Sequence, residues 1–390
     1  MSMRAPSLST DTFFKRSIAV AEYYGFKSVD DLRPVPVLTK RSVLGVAEHK
    51  SEDGHLVDRQ TFSRSLEHFA EILEIKKRQP ILFYTPSFVS HASLPRERMS
   101  ALTLNIVGVN DPLSDIVVIK SALSILEELG FKKPRLRINS IGDRDSSVRF
   151  LREATNRIKQ FLPDLPASVV EQFKTNQGAA LAALYEERHP IIEHLPSPLE
   201  FLTSPSRKYF KELLELLEAA SLSFTLDDKL YGDPSMYSHS LFEIIDENGA
   251  TILARGGRYD ALTKSFARSA VPSTGIVIAS TTRSMNGPVM RTQRKQPAAC
   301  IIHIGREARI RSISLIETFR KERIPIEQCL HVERFTDQLA YAELHKARYM
   351  IIMGQREAHD GVAIVRNTSD HSQRTMPIAQ LTSYLRTRVS

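Results

Sequence analysis

The run SLFEIIDENGATILARGGRYDAL, Ser240 to Leu262, constrains the fold more than any other stretch of the chain. Two β-rich segments, SLFEIID and ATILA (Ala250 to Ala254), flank Asn248-Gly249, a pair that tolerates positive φ, so the run reads as a hairpin. The second strand leads straight into Gly256 and Gly257 and then Arg258, Tyr259 and Asp260. Adjacent glycines in a strand remove Cβ atoms where another backbone or a ligand comes close. The polar residues that follow can turn inward and line a pocket. Alternatively, Arg258 and Asp260 close a buried salt bridge, with each other or with neighbours, that holds the hairpin to the next helix.

Helices flank this sheet. In SDIVVIKSALSILEELG, residues Ile116, Ile119, Leu123, Leu126 and Leu129 recur at helical spacing, with Ser114 placed to cap the start and Gly130 to end it. Phe210, Leu213, Leu214 and Leu217 form a second stripe, with Ser206 as its expected cap. RLRIN, Arg135 to Asn139, alternates as a strand, and residues 161–198 read as a proline-spotted, partly helical insertion. NGPVMRTQRKQP, from Asn286 to Pro297, is polar and basic and reads as a linker. Beyond it strands and helices alternate: AACIIHI, a helix near Glu307 to Phe319, another near Thr336 to His345, and the run YMIIM, Tyr349 to Met353. That pattern is a small α/β domain with a mostly parallel sheet.

A chain of 390 residues exceeds what one core usually organises. The expected division is a core over 1–286, a linker over 287–297 and a second domain over 298–390. No stretch approaches the roughly 18 apolar residues that a membrane helix needs, and no targeting signal is read. Cys300 and Cys329, the two cysteines, lack metal-ligand or disulfide-framework spacing, which fits a reducing cytoplasm. His189, Glu193 and His194 lie close together, but Pro190 breaks their helical spacing, so no metal site is expected. The formal charge of +8 attracts a polyanion without selecting one.

Four collinear segments resemble the class II histidyl-tRNA synthetase family. DPLSDIVVIKSALSILEELG is similar to the helix after motif 2, and INSIG, Ile138 to Gly142, to the strand end and turn that come next. The hairpin with GGRYDAL is similar to the family's V-F-E-I hairpin and G-G-R-Y-D-G-L signature, and QLAYAELHKARYMIIMGQREAHDGVAIV to its C-terminal anticodon-binding domain. The resemblance covers roughly residues 80 to 390. It implies an α+β class II synthetase core, an antiparallel sheet with flanking helices, followed by an α/β anticodon-binding-like domain. It further implies a ligand pocket at Tyr237, Glu243, Gly256, Gly257, Arg258, Tyr259 and Asp260. A homodimer formed through motif 1, here around Val35 to Leu38, is also implied.

The chemistry that the resemblance implies is not supported by the side chains. Joining an amino acid to ATP builds negative charge on the α-phosphate, which a working site meets with fixed arginines and magnesium. Val89 stands where the family has the phosphate-binding arginine of motif 2, and the amino-group ligands fall near Ala101 and Asn105. Gly232 replaces the arginine of R-G-L-D-Y-Y, although Tyr237 is retained. Thr282 takes the arginine position of motif 3, with Arg283 one residue late, a rotation of about 100° on a helix. The early T-L-R-P-E-G-T segment is missing near Leu56, where the chain reads LVDRQTFSR.

No catalytic residue is therefore assigned. The expected function is that of a catalytically impaired relative, binding a ligand, a transfer RNA or a protein partner in a regulatory role. One alternative is a divergent working histidine–tRNA ligase using ATP and magnesium, with Arg96, Arg98, Arg255 or Arg283 moving in to replace the missing groups. Another is an allosteric subunit like the synthetase-derived regulator of ATP phosphoribosyltransferase, against which the C-terminal domain counts. Arg306, Arg309, Arg311 and Arg320 are the candidate RNA-contacting face, while Thr336-Asp337 replaces the basic pair that the family carries before Gln338.

Overall fold

A computed structural model describes residues 8–32, 47–51, 80–91, 98–165, 167–249, 251–263, 270–283 and 296–389. Val35 to Leu38, the LVDRQTFSR segment, Arg96 and most of the linker lie outside the described residues.

The first part runs β1 (Leu8–Ser9), α1 (Thr10–Tyr23), β2 (Lys27–Ser28), β3 (Ala47–Ser51), β4 (Ile81–His91), β5 (Arg98–Val107), α2 (Leu113–Glu128) and β6 (Arg135–Gly142). It continues through α3 (Arg144–Ile158), α4 (Ala167–Thr175), α5 (Gln177–Glu186), α6 (Ser204–Ala219), β7 (Phe224–Leu226), β8 (Ser238–Ile245), β9 (Ile252–Arg258), α7 (Asp260–Thr263) and β10 (Ser273–Arg283). The strands form one sheet in the order β2-β4-β5-β10-β9-β8-β6-β7, with β1 on β10 and β3 on β4. Its centre, from β4 to β6, is antiparallel throughout.

The expected hairpin is present as β8 and β9. Its loop runs from Asp246 to Thr251, and among its described residues Gly249 alone takes positive φ, +77°. Strand alternation gives the sheet two buried faces. One, carrying Leu82, Leu104, Ile138, Phe242 and Ile276, packs under α1, α2 and α6. The other, carrying Phe83, Ala101, Leu241, Val277 and Tyr259, packs with residues of α3 and α5 such as Phe150 and Leu181.

Both expected helix caps are displaced. Asp111 Oδ1, not Ser114, accepts from the first N–H of α2 at 2.8 Å, and Thr203, not Ser206, caps α6. The cause is the same in both: Pro112 and Pro205 are pre-set for the first turn and move the helix start ahead of the serine. Gly130 follows α2 with φ +93°, as expected of a terminating glycine.

The second part runs β11 (Ala299–His303), α8 (Arg306–Lys321), β12 (Ile326–Gln328), α9 (Phe335–Leu344), β13 (Tyr349–Met353), α10 (Gln355–Asp360), β14 (Val362–Asn367), β15 (Gln373–Pro377) and α11 (Leu381–Val389). The strand order is β12-β11-β13-β14-β15, parallel across the first three and antiparallel across the rest. Gln338 holds this sheet from inside, its amide bonded to both the N–H and the C=O of His303 at 2.9 Å.

The two parts share one apolar core and a buried polar node. Glu317 of α8 accepts from Tyr24 Oη at 2.6 Å and Ser124 Oγ at 3.0 Å, both in the first part, and pairs with Arg320 at 2.8 Å. Burial works against this carboxylate, but the hydrogen bonds from Arg320 and Tyr24 hold its pKa down to about 2. A carboxylate with a depressed folded-state pKa adds stability above its unfolded value, and that stability is lost as the pH falls towards 2. Glu317→Ala removes the buried acceptor of Tyr24 and Ser124 and one of the three carboxylates around Arg320, so denaturant titration at neutral pH should show a loss of about 2 to 3 kcal/mol. The gap between the two proteins should narrow as the pH is lowered from 5 towards 2.

Candidate functional site

Two of the segments that carry the family resemblance meet at Arg258. This arginine ends β9 with no exposed surface. Nη2 donates to the carbonyl of Val109 and Nη1 to Tyr209 Oη, at 2.5 and 2.6 Å. Nη1 also lies 3.6 Å from Asp115 of α2, and Nε lies 3.4 Å from Asp260. Asp115 is likewise fully buried and accepts from Tyr209 and Ser240 at 2.9 Å. Burial raises its pKa against the opposing pull of Arg258. This network lies on the sheet face that packs under α2 and α6, and it clamps the hairpin to both helices.

The two glycines serve the sheet. A Cβ on Gly256 would stand 2.2 Å from the Gly275 carbonyl oxygen, and one on Gly257 2.4 Å from that of Ser240. Both contacts are with neighbouring strands, so the missing side chains permit strand pairing. Tyr259 crosses to the other face, where its hydroxyl donates to Asn105 Oδ1 at 2.6 Å. Asn105 therefore does sit beside the signature, in the position where the resemblance puts an amino-group ligand. Its Nδ2, together with Thr85 Oγ1 and Ser87 Oγ on the same face, has no hydrogen-bond partner among the described residues. Tyr237 packs on this face against Gly257, 3.1 Å from the position of its absent Cβ.

Glu243 and Arg255 meet at the far end of the same face. Arg255 donates to Glu186 at 2.5 Å and to the Tyr231 carbonyl at 3.0 Å, with Glu243 3.4 Å from its Nε. Arg137 approaches the same carboxylate from β6, at 2.5 Å, and also pairs with Asp227 at 3.2 Å. Two guanidinium groups thus converge, and the anions between them are the protein's own. Arg188 and Lys229 join them around a cavity of about 60 Å³, into which the half-exposed Arg188 opens.

Arg137, Glu186 and Asp227 were not anticipated from the sequence. The one signal was RLRIN, in which Leu136 and Ile138 take one face and Arg137 and Asn139 the other. Of the other candidates, Arg98 and Arg283 lie in paired strands. His189 Nδ1 accepts from Ile191 N, His194 stacks on Phe161, and Glu193 pairs with Lys229. No cluster of metal ligands occurs among the described residues, nor is any described helix long and apolar enough to cross a membrane.

The arginines expected on an RNA face mostly turn towards the first part of the chain. Arg306 pairs with Glu212 at 2.9 Å, Arg309 with Asp111 at 2.8 Å, and Arg320 with Glu127 at 3.0 Å and Glu128 at 3.4 Å. Arg311 alone of the four is exposed with no ion pair among the described residues.

Comparison with known proteins assigns residues 298–388 to the family described as the anticodon binding domain. The histidine–tRNA ligase of Geobacillus kaustophilus is 28% identical over 294 residues, 73% of this chain and 68% of that protein. The Oceanobacillus iheyensis enzyme is 23% identical over 324 residues, 79% and 74% of the two chains. Among solved structures, apo histidyl-tRNA synthetase of S. aureus matches with a TM-score of 0.45 at 18% identity, covering 83% of this chain and 81% of that one. A Bacillus halodurans structure described as an ATP phosphoribosyltransferase regulatory subunit/histidyl-tRNA synthetase matches at 0.43 and 14% identity, covering 91% and 99%.

Arg258→Ala and Asp115→Ala should each cost about 3 to 5 kcal/mol in denaturant titration, because each strands a buried charge. The double variant should lose much less than the sum. Additive losses would mean that the pair is not the clamp.

Proposed function

We infer that this chain, a member of the class II histidyl-tRNA synthetase family, does not activate histidine and instead works as an RNA-binding relative of the enzymes. The observation that carries this reading is the state of its arginines. Arg258 is enclosed by Asp115 on the sheet face opposite Tyr237 and Tyr259, and Arg255 and Arg137 are held by Glu186, Glu243 and Asp227. Transition-state stabilisation needs cations aimed at the phosphate before the reaction begins, and loss of one such donor commonly costs roughly 10²-fold or more in rate. Here a phosphate would have to displace carboxylates from these guanidinium groups, against charge repulsion from those same acids. Val89, Gly232 and Thr282 offer no replacement.

RNA binding is supported by the C-terminal domain. Ile304, Phe335 with Arg334, and Arg356 follow β11, β12 and β13, so all stand at the carboxyl edge of the parallel strands. The Arg334 and Arg356 side chains are 81% and 89% exposed, and Phe335 is 39% exposed. An exposed aromatic ring at the same edge as two exposed arginines suits stacking on unpaired bases with phosphate contacts alongside. This edge takes over the role first given to Arg306, Arg309 and Arg320.

The purified chain should show no histidine-dependent ATP–pyrophosphate exchange above background, and exchange that requires histidine would end this reading. In filter binding with unfractionated transfer RNA, Phe335→Ala should weaken affinity, and Arg334→Ala should lower the slope of log affinity against log salt by about one. Arg320→Ala should reduce stability and leave that slope unchanged.

A further inference from the structure

We propose that the cleft between the two parts of the chain binds a small phosphomonoester that also carries a hydroxyl group, such as a sugar phosphate or nucleoside monophosphate. The cleft holds about 300 Å³, at the lower end of the range for small-molecule sites, and it lies at a domain junction where such sites concentrate. One wall is the start of α8 and the other comes from α2 and α6. The apolar side chains Leu216 and Ile310 close it laterally.

The donors for the phosphate come from α8. Its N-cap is Gly305, at φ +89°, which supplies no capping side chain and leaves open space where a Cβ would be. The first intrahelical bond is from Arg309 N to Gly305 O, so the N–H groups of Arg306, Glu307 and Ala308 have no acceptor within the helix. A dianion fits there because the helix dipole and the three N–H groups act together. Arg306, half-exposed at the mouth, adds a guanidinium group.

His303 supplies the second, independent observation. It lines the cleft yet is only 3% exposed. Its Nε2 is bonded to the Cys329 carbonyl at 3.2 Å, while Nδ1 has no hydrogen-bond partner among the described residues. Burial, reinforced by Arg309, lowers its pKa to about 4, so the ring is neutral at pH 7. The carbonyl requires the proton on Nε2, which leaves Nδ1 as a bare acceptor. That atom calls for a hydroxyl or amine donor on the ligand.

The carboxylates of the cleft do not cancel this preference. Asp111 is taken by Arg309 and the α2 N-terminus, Glu212 by Arg306, and Glu333 stands at the rim with its side chain 77% exposed. What remains unmatched inside is donor character at α8 and one acceptor at His303. The cleft is on the sheet face opposite Tyr259 and Glu243, so its occupation is independent of whether the chain activates histidine.

Calorimetric titration of the full chain with AMP, ribose 5-phosphate, inorganic phosphate and adenosine tests the proposal. AMP or ribose 5-phosphate should bind, inorganic phosphate more weakly, and adenosine not at all. Arg306→Gln should weaken binding by on the order of tenfold or more, as expected for one charge-assisted hydrogen bond. Glu212→Gln, which releases Arg306 from its competitor, should tighten it, and Arg311→Gln on the outer side of α8 should leave it unchanged. No saturable binding of either phosphomonoester at millimolar concentration would overturn the proposal. So would equal losses in the Arg306 and Glu212 variants, or binding of an oligonucleotide but of neither phosphomonoester.

Discussion

The ion pair between Arg258 and Asp115 is the constraint on which the first part of the chain depends. Burying a guanidinium group and a carboxylate without exposed surface costs several kcal/mol per ion unless the pair and its hydrogen bonds recover it. Recovery here needs the Val109 carbonyl, the Tyr209 hydroxyl and the Ser240 hydroxyl, contributed by the β5–α2 connection, α6 and β8. The hairpin, α2 and α6 must therefore hold one arrangement together. The glycines before Arg258 follow from the same demand, because side chains there would push β9 away from β8 and β10.

A run that resembles a synthetase signature can therefore be held in place by the scaffold alone, whatever its pocket binds. GGRYD resembles a ligand-lining sequence, and Tyr259 with Asn105 faces the side that also carries Tyr237. Its arginine, however, supports the scaffold from the opposite face. A chain could lose every phosphate contact and still be unable to give up Arg258. The sequence left this choice open, since an arginine between glycine and tyrosine is compatible with either face until the alternation of β9 is fixed by its neighbours.

Features set by local periodicity were legible from the residues alone. The hairpin, the α2 and α6 stripes and the YMIIM strand needed only spacing and turn chemistry, and the last falls on Tyr349–Met353 as read. Cap positions were not legible from serine alone, because proline at the first turn moved each start. The cluster around Arg255 was hidden for a different reason. Arg137, Glu186, Asp227 and Glu243 come from four separate segments, and RLRIN has the alternation of a strand with one face in water. Residues of the 161–198 insertion and the Asp227 turn come against that face, so its arginine is mostly covered and paired inside the protein.

The α8 arginines show the same ambiguity at the scale of a domain. Arg306, Arg309 and Arg320 on one helix read as a surface for a polyanion, and physically they are one. The polyanion they meet is the acidic side of the chain's own core, Asp111, Glu127, Glu128 and Glu212. Charge counting along a sequence cannot separate an internal counter-ion from an external one, because attraction depends on what the fold brings within a few ångströms. In the Arg255 cluster and at the junction alike, cations that the sequence offered as candidates for a phosphate or an RNA are neutralised from within. Exposed positive charge remains at Arg311 and at the strand ends of the C-terminal domain, where Arg334 and Arg356 extend into solvent with only loose partners on their own helices.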